Sequence, residues 1–577
     1  MVRPLVLQAV KEAITSAQHA GELPSFMPLP EIHIEHPRQP EHGDYATNIA
    51  LQLARTARMS PQHIAAAIAR HITSADLQAE AVNGFINFRL SPAFLAAQVE
   101  HILQQGERWG EINLGNGRKA QVEFGSANPT GYATLGTGRN VVVGDVLANT
   151  LAASGYQVHR EWYINDAGSQ IRAFGESVFA RYAQELGLDE PMPEGGYHGD
   201  DVAEIGRIIA KREGEHFLHL PREEAIRAIA EIGVALVMDQ IKRTMQRLGV
   251  HYDNYFSEKS LWASGLGEQM LARLQQKGLI LQHDGALWFS EDGSPIRSAQ
   301  SDAEETPTTD EAGKRLPVQA VVMRSSQVAP LPEERPTYFA SDIAYAYHKV
   351  ILRGFNPAIY VWGEDHQASV ERLYAAARAL ELPEGSIKVV IYRFITLMRG
   401  GVEVRMGKRK GNALLIDDVL DEIGADAFRY MMLARSVDTK FTVDIALLQE
   451  QNEKNPVYYI QYSHARICSL EARAAAEGWE QDRTASLHYT HPAELALIRK
   501  LLELPEVVEL VANTLQPHHY PTYARDVACL FSKFYEECRI KGAPPSTVFA
   551  RLQLARATRL TLAKVLKLMG LSAPEKM

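Results

Sequence analysis

The chain has 577 residues, a formal net charge of −10, and 46% hydrophobic against 23% charged residues, which excludes a disordered chain and calls for about three to five domains with ample core. The acidic balance argues against a protein that coats nucleic acid nonspecifically, because counterion release needs dense Lys and Arg, although one basic face remains possible. The start MVRPLVLQAVKEAI lacks the zones of a secretory signal, and no apolar run approaches the roughly 18 residues of a bilayer span, so a cytoplasmic protein without membrane contacts is expected.

Residues 1–110 combine helical apolar spacing, in Ile49, Leu51, Leu53 and Ala54 and again in Ile64, Ala67, Ile68 and Ile72, with a strand-like run Phe85-Ile86-Asn87-Phe88. That is a small α+β module, and GERWGEINLGNGRK reads as its exit linker. The pattern then changes to strand, Gly-rich turn and helix: AQVEF, GSANPTGYATLGTGRN and VVVGDVLANTLAASG, with Gly155 placed as a helix stop and QVHREWYI as the next strand. A βαβ unit of this kind predicts a Rossmann-type, doubly wound parallel α/β sheet over residues 118–445, with ligands at the carboxyl ends of its strands.

The strand-like runs AIYVWG and IKVVIYRF return far downstream, so the sheet is expected to be split by insertions at about 175–275 and 290–336. The second is rich in Pro, Ser and acidic residues, reads mostly as mobile surface, and leaves VQAVVMR able to pair as a strand. Residues 446–577 turn strongly helical, with apolar spacing in Ile498, Leu501 and Leu502 and in Val507, Val508, Leu510 and Val511; Pro505 can open the latter helix, and an all-α bundle closes the chain. The three cysteines, Cys468, Cys529 and Cys538, lack zinc-site spacing and read as small core residues.

Two segments carry chemistry. The Gly-rich turn places Gly136 and Gly138 at a helix start, where backbone N–H groups can meet a phosphate; Gly131, Gly136, Gly138 and Gly144 can equally serve only a tight turn and close packing. About 270 residues later, RMGKRKGN sets Arg405, Lys408, Arg409 and Lys410 among small residues. Such a loop can fold over a triphosphate and neutralise charge as pyrophosphate leaves, or can simply be a solvated basic loop.

At these residues the chain resembles the class I aminoacyl-tRNA synthetases in their arginyl form. VEFGSANPTGYATLGTGRNVVVGDVLANTLAASGYQVHREWYINDAG resembles the first half of that catalytic domain; PTYFASDIAY, WGEDH and RMGKRKGNALLIDDVLDEIGADAFRYMML resemble the second. GDYATNIALQLA is similar to the family's amino-terminal tRNA-binding module, and NPVYYIQYSHARICSL with the terminal LMGLSAPEKM is similar to its anticodon-binding bundle.

The resemblance implies activation of L-arginine by ATP with Mg²⁺, transfer to tRNA(Arg), dependence of activation on bound tRNA, and a monomer. It implies that Glu123, Ser126 and Asn128 hold arginine, with Tyr338 and Asp342 as the Tyr-x-x-x-Asp pair. A carboxylate suits a planar five-donor guanidinium and discriminates against lysine by geometry. Asp365, His366 and Gln367 fall where the family lines the arginine and adenosine pockets, here with Ala368 in place of the usual glycine. Gly136, Gly138, Asp365, Met406 and Lys408 are the expected ATP contacts, and Thr134, Gly136, Thr137, Arg405 and Lys408 the expected catalytic set.

The chain departs from the family at its first signature, where His-Val-Gly-His is replaced by Thr134-Leu135-Gly136-Thr137. A threonine hydroxyl donates one hydrogen bond but is shorter than histidine and never cationic. Losing one preorganised donor costs on the order of 3 kcal/mol. Two alternatives therefore stand beside the ligase: a weakened paralogue that binds arginine or tRNA, and an enzyme that activates arginine for another product.

Overall fold

The computed structural model describes residues 2–26, 28–297, 309, 313–329, 335–403, 414–450, 452, 454–480 and 486–577. The amino-terminal module contains α1 (Arg3–His19), β1 (Tyr45–Thr47), α2 (Ile49–Ala57), α3 (Pro61–Arg70), β2 (Leu77–Val82), β3 (Phe85–Leu90) and α4 (Pro92–Gln105), with an antiparallel sheet in the order β1-β3-β2. Ser60 and Ser91 start α3 and α4 by accepting from the N–H groups of His63 and Phe94, and a proline follows each cap, where its missing N–H costs nothing. Leu51 is the exception to the expected apolar face. It is 41% exposed, because two residues on a helix are about 200° apart, so Ile49, Ala50 and Leu53 form the buried side instead.

The central sheet is parallel, in the order β11-β10-β4-β5-β6. Its strands are β4 (Lys119–Glu123), β5 (Gln157–Ile164), β6 (Asn254–Ser257), β10 (Ala358–Gly363) and β11 (Ile387–Tyr392). The chain builds outward from β4 through β5 and β6, then returns to the other side of β4 to add β10 and β11. This reversal opens a crevice at the carboxyl ends of β4 and β10, the position where such sheets bind ligands.

Within the first half, α5 (Leu135–Ala153) joins β4 to β5, and α6 (Ser169–Glu185), α7 (Asp200–Glu213) and α8 (Arg222–Arg247) join β5 to β6; between the halves run α9 (Lys259–Ala263), α10 (Leu266–Gln276), β7 (Ile280–His283), β8 (Ala286–Ser290), β9 (Gln319–Met323) and α11 (Tyr338–Tyr347). The sequence VQAVVMR does form β9, antiparallel to β8 in the sheet β7-β8-β9. Much of the stretch expected to be mobile, 298–308, 310–312 and 330–334, lies outside the described residues.

After β10 follow α12 (Gln367–Ala379), β12 (Ile395–Arg399), β13 (Val402–Glu403), α13 (Ile416–Leu433), β14 (Phe441–Asp444) and α14 (Ile445–Gln449). The helical end comprises α15 (Pro456–Ala476), α16 (Pro492–Leu502), α17 (Leu504–Thr514), α18 (His519–Glu537) and α19 (Pro545–Met569), with Pro505 in the first turn of α17 as expected. Of the cysteines only Cys538 is buried; Cys468 is partly buried and Cys529 is exposed, which corrects the expectation of three core residues. Cys529 sits on α18 outside the run of buried positions Val527, Ala528 and Phe531. Among the described residues no helix is long and apolar enough to cross a membrane.

Helix α5 is buried almost all round, from Leu135 to Ala153, and it ends before Gly155, which adopts φ +81°. A Cβ at Gly144 would lie 2.2 Å from the Phe124 side chain, and one at Gly138 would lie 2.6 Å from Phe428. Close packing therefore explains these two glycines.

Candidate active site

The crevice is built first by the turn between β4 and α5. Gly125 (φ +86°) and Ser126 (φ +38°) take left-handed backbone; the Gly125 N–H donates to Asn140 Oδ1 at 2.7 Å, and Asn140 Nδ2 donates to the Val361 carbonyl at 2.8 Å, so one side chain binds the turn to β10. Ser126 Oγ accepts from the Tyr163 N–H at 3.0 Å, which places Ser126 against the end of β5 as a support for the turn.

Thr134 is the N-cap residue of α5, in extended conformation, and its side chain caps no backbone N–H. Neither its hydroxyl nor that of Thr137 makes a hydrogen bond among the described residues, although Thr137 is only 9% exposed. Gly136 faces open space, its nearest neighbour for an added Cβ being Thr134 Oγ1 at 3.7 Å, and its carbonyl accepts from the Tyr392 hydroxyl at 3.2 Å. Two uncommitted hydroxyls at the start of a 19-residue helix form a site that favours phosphate.

The second signature meets the first at this point. Arg405, Met406 and Lys408 lie outside the described residues, but the chain re-enters at Leu414, whose carbonyl accepts from the Leu135 N–H at 2.9 Å, while the Ile416 N–H donates to the Ala133 carbonyl at 3.0 Å. The segment that leaves the basic loop is thus strapped to the N-terminus of α5. Asp365, His366 and Gln367 are exposed just past the carboxyl end of β10.

The other end of the crevice is acidic. Glu123, 5% exposed at the end of β4, pairs with Lys349, which is fully buried. The Lys349 ammonium lies 4.0 Å from the centroid of the Tyr345 ring and 3.5 Å from that of Tyr360. Burial pushes the Glu123 carboxyl up against the opposing pull of Lys349, and burial draws Lys349 down. Asn128 is held from both sides: its Nδ2 donates to Gln170 Oε1 at 2.7 Å, and its Oδ1 accepts from Asn165 Nδ2 at 2.9 Å.

Thr337 caps α11 and presents Tyr338 and, one turn on, Asp342. Burial and the neighbouring charge of Glu123 raise Asp342 to about 7. Tyr338 is 44% exposed at the rim and hydrogen-bonds with Asn165. The motif reading did not include Glu258, just before α9, which is 3% exposed. Burial raises it to about 7 despite a hydrogen bond from Ser341, with Asp342 and Asp166 adding repulsion, and its Oε2 has no hydrogen-bond partner among the described residues. The available signal was modest: an acid directly after the aromatic run of β6, at a strand-to-helix turn. Asp342 and Glu258 make a desolvated carboxylate pair beside the Glu123–Lys349 ion pair, and a forked cation would relieve it.

Three family descriptions match the chain in order: arginyl tRNA synthetase N terminal domain over residues 5–90, tRNA synthetases class I (R) catalytic domain over 98–467, and DALR anticodon binding domain over 460–577. The chain belongs to the arginyl-tRNA synthetase family. The arginine–tRNA ligase of Moorella thermoacetica is 41% identical, with 99% of this chain and 98% of that protein aligned. That of Dehalococcoides mccartyi is 38% identical over 100% and 99% of the two chains. Among solved structures, the Thermus thermophilus arginyl-tRNA synthetase has the same fold, with a TM-score of 0.74, 21% identity and full coverage of both chains. A putative arginyl-tRNA synthetase from Campylobacter jejuni matches with a TM-score of 0.72 and 28% identity, over 85% of this chain and 100% of that one. Similarity to ligases from end to end does not favour the binding-protein alternative.

Proposed function

We infer that the chain is an arginine–tRNA ligase, which condenses L-arginine with ATP and passes the arginyl group to tRNA(Arg). The observation that carries this reading is the pair of desolvated carboxylates Asp342 and Glu258, beside Glu123, at the sheet whose β4–α5 turn leads to the open N-terminus of α5. Asp342 and Glu258 receive the guanidinium, with Tyr338 at the rim; Glu123 and Asn128 receive the α-ammonium end. The arginine carboxylate then lies toward Thr134, Gly136 and Thr137, where the α-phosphate is set.

The carboxylate oxygen attacks the α-phosphorus and the bond to pyrophosphate breaks. Lys408 and Arg405 are assigned to the leaving charge, and Gly136, Asp365, Met406, His366 and Gln367 to the walls around ATP and the aminoacyl group. Gly138 supports the helix by packing. Mg²⁺ is assigned to the ATP phosphates as part of the substrate; among the described residues no group of three or more His, Cys, Asp or Glu is arranged to hold a metal. A hydroxyl of the terminal tRNA adenosine then takes the arginyl group and releases AMP. Positioning and charge carry this chemistry, with little side-chain acid–base work, so threonines in the first signature slow it without changing its substrate. We assign the enzyme to the cytoplasm as a monomer.

ATP–pyrophosphate exchange with arginine, run with and without tRNA(Arg), tests the assignment. Exchange that requires tRNA is the expected result. No exchange under either condition rejects the ligase, and exchange without tRNA points to a different acceptor.

A further inference from the structure

Two cavities adjoin the acidic end of the site. A chamber of 170 Å³ lies beside Glu258, lined among the described residues by Gln170, Glu258, Trp262, Arg324 and Tyr338, with Ala167, Gly168 and Pro336 among the rest of its wall. A second cavity of 660 Å³ adjoins it and shares Ala167, Gly168, Trp262 and Pro336. A Cβ built at Gly168, which lines both cavities, meets nothing within 4 Å. The larger cavity sits between α6, α8, α9 and the end of β9; Ile171, Ile226, Ala230, Trp262 and Met323 give it an apolar part, and charged side chains, Arg172, Glu231 and Lys259 among them, line the rest.

The direction of the bound amino acid follows from the two ends of the crevice. Its carboxylate must face the N-terminus of α5, so its guanidinium points to Asp342 and Glu258 and stops at the smaller chamber. A terminal guanidinium nitrogen carrying an alkyl group still presents four N–H donors, enough for a bidentate hold by Asp342. The alkyl group then has the apolar cavity ahead of it.

Resting on the ligase reading, we propose that the enzyme also activates Nω-alkyl arginines, the alkyl group passing between Ala167 and Trp262 into the 660 Å³ cavity. The reaction balances as for arginine: a carboxylate oxygen bonds to the α-phosphorus, pyrophosphate leaves with the electrons of the broken bond, and an Nω-alkyl-arginyl adenylate forms. The guanidinium itself takes no part. Selectivity against these compounds is weak because the pocket reads the fork of donors while the larger cavity shares Ala167, Gly168, Trp262 and Pro336 with the chamber that receives it.

The test is tRNA-dependent ATP–pyrophosphate exchange with Nω-propyl-L-arginine beside L-arginine, using the full chain and the variants Met323→Trp and Ile171→Trp. These two substitutions fill the cavity from opposite walls, β9 and α6, and both residues line the larger cavity alone. The propyl compound is expected to reach kcat/KM within about tenfold of arginine, and each filling variant to cost it at least about tenfold more than it costs arginine. Exchange with arginine but none with the propyl compound overturns the proposal, as do equal losses for both amino acids in both variants. Failure of the parent enzyme with both amino acids overturns the ligase reading and this proposal with it.

Discussion

Thr134 and Thr137 each offer one short, neutral donor where the family has an imidazole. Their hydroxyls are uncommitted, so the site retains donors without the reach or charge of histidine. Restoring both, as Thr134→His with Thr137→His, is expected to raise tRNA-dependent exchange by about tenfold or more; an unchanged or lower rate rejects the view that the threonines only weaken the site. At the acidic end, Asp342→Asn is expected to lower kcat/KM for arginine by about two decades, mostly through KM, because a neutral amide cannot match the guanidinium fork. Asp342 and Glu258 both titrate near 7 before arginine binds. On the proposed assignment their ionised forms hold the cation, and protonation below that pH removes the attraction. The arginine KM should therefore rise by about tenfold or more per pH unit on the acid side of 7, with Glu258→Gln flattening the dependence. Asp342 was legible because Tyr338 and Asp342 match the Tyr-x-x-x-Asp pair of the family that the chain resembles, whereas Glu258 matches no such motif and becomes a candidate only when β6 is laid beside β5.

Helix α5 links the chemistry to the fold. Gly144→Ala would drive a Cβ into Phe124 and is expected to cost about 3 kcal/mol, seen as a lower urea midpoint; Gly136→Ala meets only an ordinary contact with Thr134 Oγ1 at 3.7 Å, so its effect should fall on ATP use instead of stability. Arg139 secures the same helix. It is 1% exposed and donates to the carbonyls of Arg393 at 2.6 Å, Ser436 at 2.7 Å, Thr439 at 3.1 Å and Arg435 at 3.2 Å, while burial lowers it to about 10. The strand–turn–helix pattern of this element was readable, because alternating and helical apolar spacing is local. The use of its glycines was not: either a phosphate or a neighbouring ring can require glycine, and only the positions of Phe124 and Phe428 distinguish the two.

Across the molecule, the amino-terminal module is tied to the helical bundle through Glu506, which is 5% exposed. It accepts from Arg3 at 2.7 Å and the Tyr45 hydroxyl at 2.8 Å, and His36 Nε2 lies 3.0 Å away. Arg499 adds an ion pair to Asp44 at 2.6 Å. Burial pushes the Glu506 carboxyl up, but His36, Arg3 and Tyr45 together hold it below its usual value; burial lowers His36, but the Glu506 partner outweighs it and leaves it raised. The Glu506 contribution is present above about pH 4.5 and is lost as pH falls through its lowered value. The His36 contribution is full below about pH 6.5 and is lost as pH rises through its raised value. The Tm difference between the parent and Glu506→Gln should therefore be largest between about pH 4.5 and 6.5, and a difference independent of pH would show that these contacts do not govern docking.

The sequence by itself determined the order of the modules and the parallel βαβ core, because periodicity is a property of neighbours along the chain, while Glu123, Asn128, Tyr338 and Asp342 stood out through the resemblance of their segments to the arginyl family. Tertiary structure decided what required distant residues to meet: the reversal that sets β10 against β4, the Leu414 strap on α5, the burial that places Glu258 beside Asp342, and the cavity behind Trp262. Each depends on which faces exclude water together, and the physical quantities that follow, desolvation and distance between segments hundreds of residues apart, have no counterpart in a linear pattern.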